Sequence, residues 1–441
     1  MSSKKSGVLL LDRIGPQAKL ILEDAGLKVV EVHKGFGTDT TALLQFIGSN
    51  FQVNELRAVG LRSSTILDEG ALKALCEVGV ELIVRFGTGT DNIDLKAAAA
   101  LGIIVENTPG QNALAVAEKT LLCAGLLCHK VNLPIASNAA VIAVQTFVSR
   151  ATSLIPSGDE AIFEQTAQEL IRSLAVGKAD CKGTELYGKT LGVIGGCGNI
   201  GSKVCTRAIS LGMKVIVYDS HRRAVAVEGV RRVKTIEELL RQSDFVTIHV
   251  PINSETEDLI GMEQIRIMKQ GAFLLNLARA GVVDVAAVDA DLTNADSCLS
   301  GYASDVDDVT DPVFSHPNTI ILPHIGASTE ESDARCAKPG AEQIVSWFLY
   351  GEIISALNFA DFCLSGERKN GQLAVFHEDV IGVIESVSAY LTQHGFNIGS
   401  LHSDPVNGFA CCMVCPDLPF GDEVVADLAA MPNVTRVVAF H

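Results

Sequence analysis

The sequence is short of aromatic side chains, which make up 5% of its 441 residues, so its cores must be built from Ala, Val, Leu, Ile and Gly. That composition suits parallel sheets covered by helices on both faces. Basic residues are also scarce: 35 Lys and Arg against 52 Asp and Glu leave a formal charge of -17. Nucleic acid and anionic membranes are recognised through basic patches, so neither is an expected partner. An anionic small substrate stays compatible, because a few arginines in a cleft can reverse the local field. No stretch approaches the ~20 apolar residues of a membrane span. The opening MSSKKSGVLLLD has a basic pair, but its apolar run is too short for a signal peptide, and a cytoplasmic location is expected. The 12 cysteines lack the spacing of a disulfide scaffold. Most sit in apolar runs such as LLCAGLLCHK and GFACCMVCPD, as buried thiols of a reducing compartment do. Cys412 and Cys415 have CxxC spacing without a second pair or a histidine cluster, so they read as thiols on a strand and no metal is expected.

A chain of this length exceeds one ordinary core, and two or three domains are expected. From Gly7 to about Asn107, the runs GVLLLD, LKVVEV, AVGLRS, LIVRFG and GIIVEN read as buried strands separated by helical patterns. A second such series starts at KTLGVIGGCGNIG and runs through KVIVYD, FVTIHV, AFLLNLA, SGYASDV and TIILPH. Both predict doubly wound parallel α/β sheets. Between them, residues 131–177 form an insertion in which Phe163, Ala167, Leu170, Ile171 and Leu174 share one helical face. A subunit interface and packing on its own domain both suit that face. After the polar linker LSGERKNGQ at about 365–372, the pattern becomes βαββαβ, the ferredoxin-like plan.

The segment TLGVIGGCGNIGSKVCTRAISLGMKVIVYD carries the clearest chemistry. Gly196, Gly198 and Gly201 form GxGxxG, a weak pattern alone, but here it follows a strand, opens a helix and precedes a strand ending in Asp219. Gly196 allows the tight turn, Gly198 lets the backbone approach a pyrophosphate, and Gly201 lets the helix pack against the strand. The N–H groups at the helix start then hold the phosphates. Asp219 can accept the adenosine ribose hydroxyls and would repel a 2′-phosphate, which favours NAD over NADP. His221, Arg222 and Arg223 follow at once and could suit the phosphorylated cofactor.

Three more stretches, LLNLARAGVVDVAAVDADL, GYASDVDD and ILPHIGAST, begin where strands of this domain end, the edge at which open α/β sheets bind ligands. An arginine, an acid and a histidine could meet there. Taken alone, a histidine after a strand is more often a structural residue than a catalytic one, and a lone arginine more often a surface ion pair.

With GLRSST, RFGTGTDNIDLKAAAALGIIVENTPGQNALAVAE, GTELYGKTLGVIGGCGNIG, HVPINSETEDLI, NLARAGVVD and PHIGAST in order, the chain resembles the D-isomer-specific 2-hydroxyacid dehydrogenase family, and its last part resembles an ACT domain. The resemblance implies a flavodoxin-like substrate domain at 1–115 and 325–364. It implies a Rossmann NAD domain at 116–324 carrying the 131–177 insertion, and an ACT regulatory domain at 371–441. It also implies a cofactor, NAD, and roles for particular residues. Arg279 is similar to the catalytic arginine that holds the substrate carboxylate and polarises the neighbouring oxygen. His324 is similar to the general base that takes the C2 hydroxyl proton. Asn199 and Ile200 match the phosphate loop, Leu277, Ala278 and Asp305 the nicotinamide surroundings, and Gly326 and Ala327 the turn beside His324. Arg62 matches a position that meets a substrate phosphate, and the backbone around Gly87 one that faces its carboxylate. The family pairs its histidine with a glutamate, which this chain lacks; Asp307, Asp308 and Asp311 are the carboxylates that could replace it.

Combined with an ACT domain, the pattern is similar to the branch of the family that oxidises 3-phospho-D-glycerate at the start of phosphorylated serine biosynthesis. A homo-oligomer, dimer or tetramer, is implied. His377, Asp379 and Asn397 match an L-serine effector pocket, though Asp379 stands where asparagine is common and Ile381 replaces a proline; a dimerisation module without effector is the alternative. Two other functions stay open: a dehydrogenase of glycerate, hydroxypyruvate or 2-hydroxyglutarate, and an NAD-sensing binding protein.

Overall fold

A computed structural model describes residues 6–130, 182–221, 227–305, 312–363 and 371–440. The 131–177 insertion with its amphipathic face lies outside these residues, as do most of the 365–372 linker and Arg222, Arg223, Asp307, Asp308 and Asp311. The chain forms two compact units, Met1–Asn112 with Thr329–His441, and Ala113–Ser328.

In the first unit, the apolar runs become five parallel strands: β1 (Gly7–Leu10), β2 (Lys28–Glu31), β3 (Leu56–Leu61), β4 (Leu82–Arg85) and β5 (Ile104–Asn107). They lie in the order β2-β1-β3-β4-β5, the flavodoxin-like winding. The crossovers are α1 (Pro16–Asp24), α2 (Thr40–Asn50), α3 (Glu69–Glu77) and α4 (Leu95–Ala100). Asp39, Asp68 and Asp94 cap α2, α3 and α4 by accepting the N–H of Ala42, Ala71 and Ala97, each cap worth about 1 kcal/mol. Part of the acidic excess is therefore spent on starting helices.

The second unit opens with α5 (Ala113–Cys128) and continues through β6 (Thr190–Ile194), α6 (Asn199–Ser210), β7 (Lys214–Tyr218), β8 (Val230–Arg232), α7 (Ile236–Gln242), β9 (Phe245–Ile248) and α8 (Met262–Arg266). It closes with β10 (Ala272–Asn276), α9 (Val285–Leu292), β11 (Leu299–Asp305) and β12 (Thr319–Leu322). The strand order β12-β11-β10-β9-β6-β7-β8 is the Rossmann winding, with its switch point between β6 and β9. Apolar residues of these strands and helices make two cores, one on each face of the sheet.

The chain then returns to the first unit through α10 (Glu330–Tyr350). Thr329 caps it by accepting the Ser332 N–H, and Glu330, Glu331 and Asp333 place negative charge at its positive end. There follow β13 (Gln372–Glu378), α11 (Val383–Gln393), β14 (Ile398–His402), β15 (Pro405–Val406), β16 (Phe409–Pro416), α12 (Asp422–Ala429) and β17 (Val434–Phe440). The antiparallel order β14-β16-β13-β17 is the expected ferredoxin-like plan, with the two-residue β15 added beside β16. Among the described residues no helix is long and apolar enough to cross a membrane, and no group of metal-binding side chains occurs.

Candidate active site

In the second unit, β6 ends at Ile194 and the chain turns through Gly195 and Gly196 into α6, whose N-cap is Gly198. A Cβ on Gly201 would strike the carbonyl oxygen of Gly195 and come within 2.8 Å of the Gly196 Cα, so the helix can sit this close only with glycine there. With Gly198 bearing no side chain, and Asn199 and Ile200 forming the first turn, the exposed N–H groups form an anion-binding helix start. Asp219 follows β7, and its carboxylate accepts the N–H of Cys197 at 3.1 Å and of His221 at 3.2 Å. It is thereby tied to the glycine loop while each oxygen keeps a lone pair for a ribose hydroxyl.

A cavity of about 360 Å³ runs over this edge, lined by Gly195, Gly198, Asp219, His221, His249 and Thr256 among others. His249 bonds Thr247 Oγ1 through Nε2 at 3.0 Å, and burial pushes its imidazole down to about 3, so it presents a neutral ring. A neutral wall, a helix start and one carboxylate at the ribose position fit a dinucleotide without a 2′-phosphate.

Arg279 lies just beyond the end of β10, half-buried, with Nη1 donating to the Ala278 carbonyl at 2.8 Å. The buried Asn276 fixes this loop, donating to the Arg279 carbonyl and accepting the Ala278 N–H. Leu277 is buried beneath it. Two strands away, His324 follows β12 and is exposed at the same carboxyl edge. Its φ of +50° is a left-handed conformation that costs a residue with a side chain about 1–2 kcal/mol. The surroundings impose it: Asp305, at the end of β11, accepts the N–H of Ile325 at 2.7 Å and of Gly326 at 2.5 Å. From α5, Lys119 Nζ donates to the Ile325 carbonyl. A Cβ on Gly326 would collide with the Asp305 carboxylate, which explains the glycine, and Ala327 continues the turn. Asp305, expected beside the nicotinamide, is thus also the anchor of the histidine's turn. Lys119 gave no sequence signal beyond its place in a helical run.

In the first unit, Arg62 directly follows β3. Its N–H donates to Asp12 Oδ2 at 3.0 Å and its carbonyl accepts from Asn92 Nδ2 at 2.9 Å. Asp12 also receives the Thr65 N–H and hydroxyl, so one carboxylate organises the RSST loop. Arg62 Nη1 stands 2.8 Å from Asp333 Oδ1, in the first turn of α10. In the neighbouring strand, Arg85 pairs in register with Leu61, which puts a second arginine at the same edge. Its guanidinium lies over Gly87, where any Cβ would overlap Nη1, and Gly87 holds φ +153°. Sequence reading missed Arg85, although its place at the end of LIVR, before Gly87, was the available signal.

Of the three positions matched to an effector pocket, His377 is buried, its Nδ1 2.7 Å from the Glu378 carbonyl and its Nε2 without a hydrogen-bond partner. Asp379 and Asn397 are exposed and held through their backbones, by the Gly408 carbonyl and Asp417 Oδ1. No hydrogen bond links the three among the described residues.

The D-isomer specific 2-hydroxyacid dehydrogenase, NAD binding domain, matches residues 162–326. The chain is 30% identical over 422 residues to D-3-phosphoglycerate dehydrogenase 2 of Saccharomyces cerevisiae, covering 91% of this chain and 80% of that one. It is 29% identical over 452 aligned residues to D-3-phosphoglycerate dehydrogenase of Escherichia coli, covering 99% and 98%. Among solved structures, the NAD+-bound 3-phosphoglycerate dehydrogenase of Entamoeba histolytica superposes with a TM-score of 0.61 at 27% identity, over 80% of this chain and 99% of that one. With the glycine loop, the Asp219 carboxylate and the strand-end arginine and histidine already in place, the chain belongs to the D-isomer-specific 2-hydroxyacid dehydrogenase family and is an NAD-dependent oxidoreductase.

Proposed function

We propose that the enzyme oxidises 3-phospho-D-glycerate to 3-phosphohydroxypyruvate, the first step of phosphorylated L-serine biosynthesis. The observation that carries this reading is the pair Arg62 and Arg85 at one strand edge of a chain whose formal charge is -17. Two guanidinium forks suit a phosphate dianion. Arg279 holds the substrate carboxylate and polarises the C2 oxygen, while the backbone around Gly87 also faces a substrate carboxylate. An imidazole nitrogen of His324 takes the C2 hydroxyl proton and returns it in reduction. NAD, held by Gly196, Gly198, Asn199, Ile200, Gly201 and Asp219, supplies the hydride acceptor when bound. Leu277, Ala278, Asp305, Gly326 and Ala327 surround its nicotinamide end. Residues 1–115 with 325–364, 116–324 and 371–441 act as substrate, NAD and regulatory domains of a cytoplasmic enzyme.

The test follows NADH absorbance with 3-phospho-D-glycerate, D-glycerate, hydroxypyruvate and 2-hydroxyglutarate, for wild type, Arg62→Ala and His324→Ala. Turnover selective for the phosphorylated acid, reduced by Arg62→Ala and lost in His324→Ala, is expected. Equal turnover of all four acids would remove the phosphate-specific reading. One observation favours a second reading, an unphosphorylated D-2-hydroxy acid: Arg62 is already ion-paired with Asp333.

The last domain is read as a regulatory module binding L-serine near His377, Asp379 and Asn397. The buried, unpartnered His377 Nε2 supports a ligand there. The exposed Ile381 and Ile384 at the start of α11, and the exposed Leu401 in the edge strand β14, support pairing with a second copy into a dimer or tetramer. Calorimetric titration with L-serine showing no heat would remove the effector, and a monomer in light scattering would remove the oligomer.

A further inference from the structure

We propose that Asp333 is a specificity-determining residue, an internal counter-charge that Arg62 must give up before it can hold a substrate phosphate. The proposal rests on the reading of Arg62 and Arg85 as the site for the far end of the substrate. The main chain of Arg62 is held on both sides, by Asp12 at its N–H and Asn92 at its carbonyl, so its side chain leaves a fixed point of the loop and meets an acidic neighbour. That neighbour is Asp333, 2.8 Å from Nη1, with 23% and 26% of the two side chains exposed. Such a pair is only partly screened by water, and its charges still act on whatever arrives beside them.

Cys336, one turn along α10 from Asp333, reports on the same field. Burial raises its thiol; a hydrogen bond with Thr108 and the charges of Arg62 and Arg85 pull it down, and Asp333 pushes it up. Three charges, two positive and one negative, thus act on one sulfur. A phosphate dianion arriving at the two arginines meets the Asp333 carboxylate as a like charge. A substrate ending in a hydroxyl meets the same carboxylate as a hydrogen-bond acceptor. Asp333 therefore lowers the preference for phosphorylated over hydroxyl-ended 2-hydroxy acids.

Asp333 also begins a helix, where negative charge is stabilising. A purely structural role would lower the melting temperature without changing the choice of substrate. The experiment compares kcat/KM for 3-phospho-D-glycerate and D-glycerate in wild type, Asp333→Asn and Asp333→Glu. In Asp333→Asn the ratio of the two should rise about tenfold in favour of the phosphorylated acid, through KM. In Asp333→Glu, which keeps the charge, it should stay near the wild-type value. A ratio that is unchanged or falls in Asp333→Asn overturns the proposal, even if the wild type oxidises 3-phospho-D-glycerate and the proposed function stands. If only Asp333→Asn turns over the phosphorylated acid, Asp333 has its assigned role and the phosphoglycerate reading of the natural enzyme fails. If neither protein turns over either acid, calorimetric titration of 3-phospho-D-glycerate in the presence of NADH decides: binding no tighter in Asp333→Asn overturns the proposal.

Discussion

Glu106 is a carboxylate placed inside β5, fully buried, and its replacement by glutamine should make the protein more stable as pH rises. One oxygen accepts the Ile354 N–H at 2.7 Å and the other has no hydrogen-bond partner. Burial, with Asp361 adding its charge, outweighs that one hydrogen bond and pushes the carboxyl from 4.5 up to about 8. The folded protein therefore keeps this proton where the unfolded chain has released it. Below pH 4.5 both states are protonated and nothing is lost. Between pH 4.5 and 8 stability falls by about 1.4 kcal/mol per pH unit, roughly 5 kcal/mol in all, and above 8 the loss levels off. Glu106→Gln keeps the shape and the acceptor for Ile354 but cannot ionise. At pH 4 the variant should match wild type, and at pH 7 it should be more stable by about 3 kcal/mol. The assay is urea denaturation at pH 4, 5.5, 7 and 8.5, followed through the single Trp347, which is buried in the first unit. A wild-type-to-variant difference that stays constant across these pH values would refute a proton held by burial.

Two further perturbations address the second unit. Gly201→Val drives a side chain into the Gly195 carbonyl, so NADH affinity in a calorimetric titration should fall by about 100-fold or more; affinity within twofold of wild type would contradict the packing argument. Asp305→Asn leaves one acceptor for two N–H groups and loosens the left-handed turn at His324, which should lower kcat about 100-fold. A normal kcat with an unchanged melting temperature would show that the turn holds itself.

The alternation of strand and helix, the dinucleotide loop and the ferredoxin-like order could be read from the sequence because each is written in local apolar runs and fixed spacings. What could not be read depends on contacts between distant segments. Asp333 reaches Arg62 only because α10, which follows the whole second unit in sequence, returns to the first sheet. Asp305 stands at the end of an apolar strand run, yet its two hydrogen bonds to the His324 turn require knowing that β11 and β12 are neighbours. Glu106 was visible as a charge in the apolar run GIIVEN. Its burial became evident only when β5 acquired a partner in the segment around Ile354 and Ala356.

The last sheet explains a further feature of its sequence, the absence of polar alternation in LAVF and ACCMV. Successive residues of a strand point to opposite faces, so a strand apolar at every position must be covered on both. Leu373, Val375, Cys412 and Val414 pack under α11 and α12, with Val387, Leu391, Val424 and Leu428. Ala374, Phe376, Cys411, Met413, Val438 and Phe440 join instead the core that contains Trp347, Ile344, Phe359 and strand β4. Trp347 meets the Phe440 ring edge-on at 4.8 Å, and Phe376 meets Phe359 at 5.1 Å. Arg436 adds a hydrogen bond from β17 to the Val80 carbonyl. A module seated this way cannot swing off the first sheet without exposing those rings to water. Phe376→Ala should cost about 3–5 kcal/mol and weaken both parts of the unit together. In hydrogen exchange, β4 and β13 should lose protection in parallel; loss confined to β13 would show that the two sheets open independently.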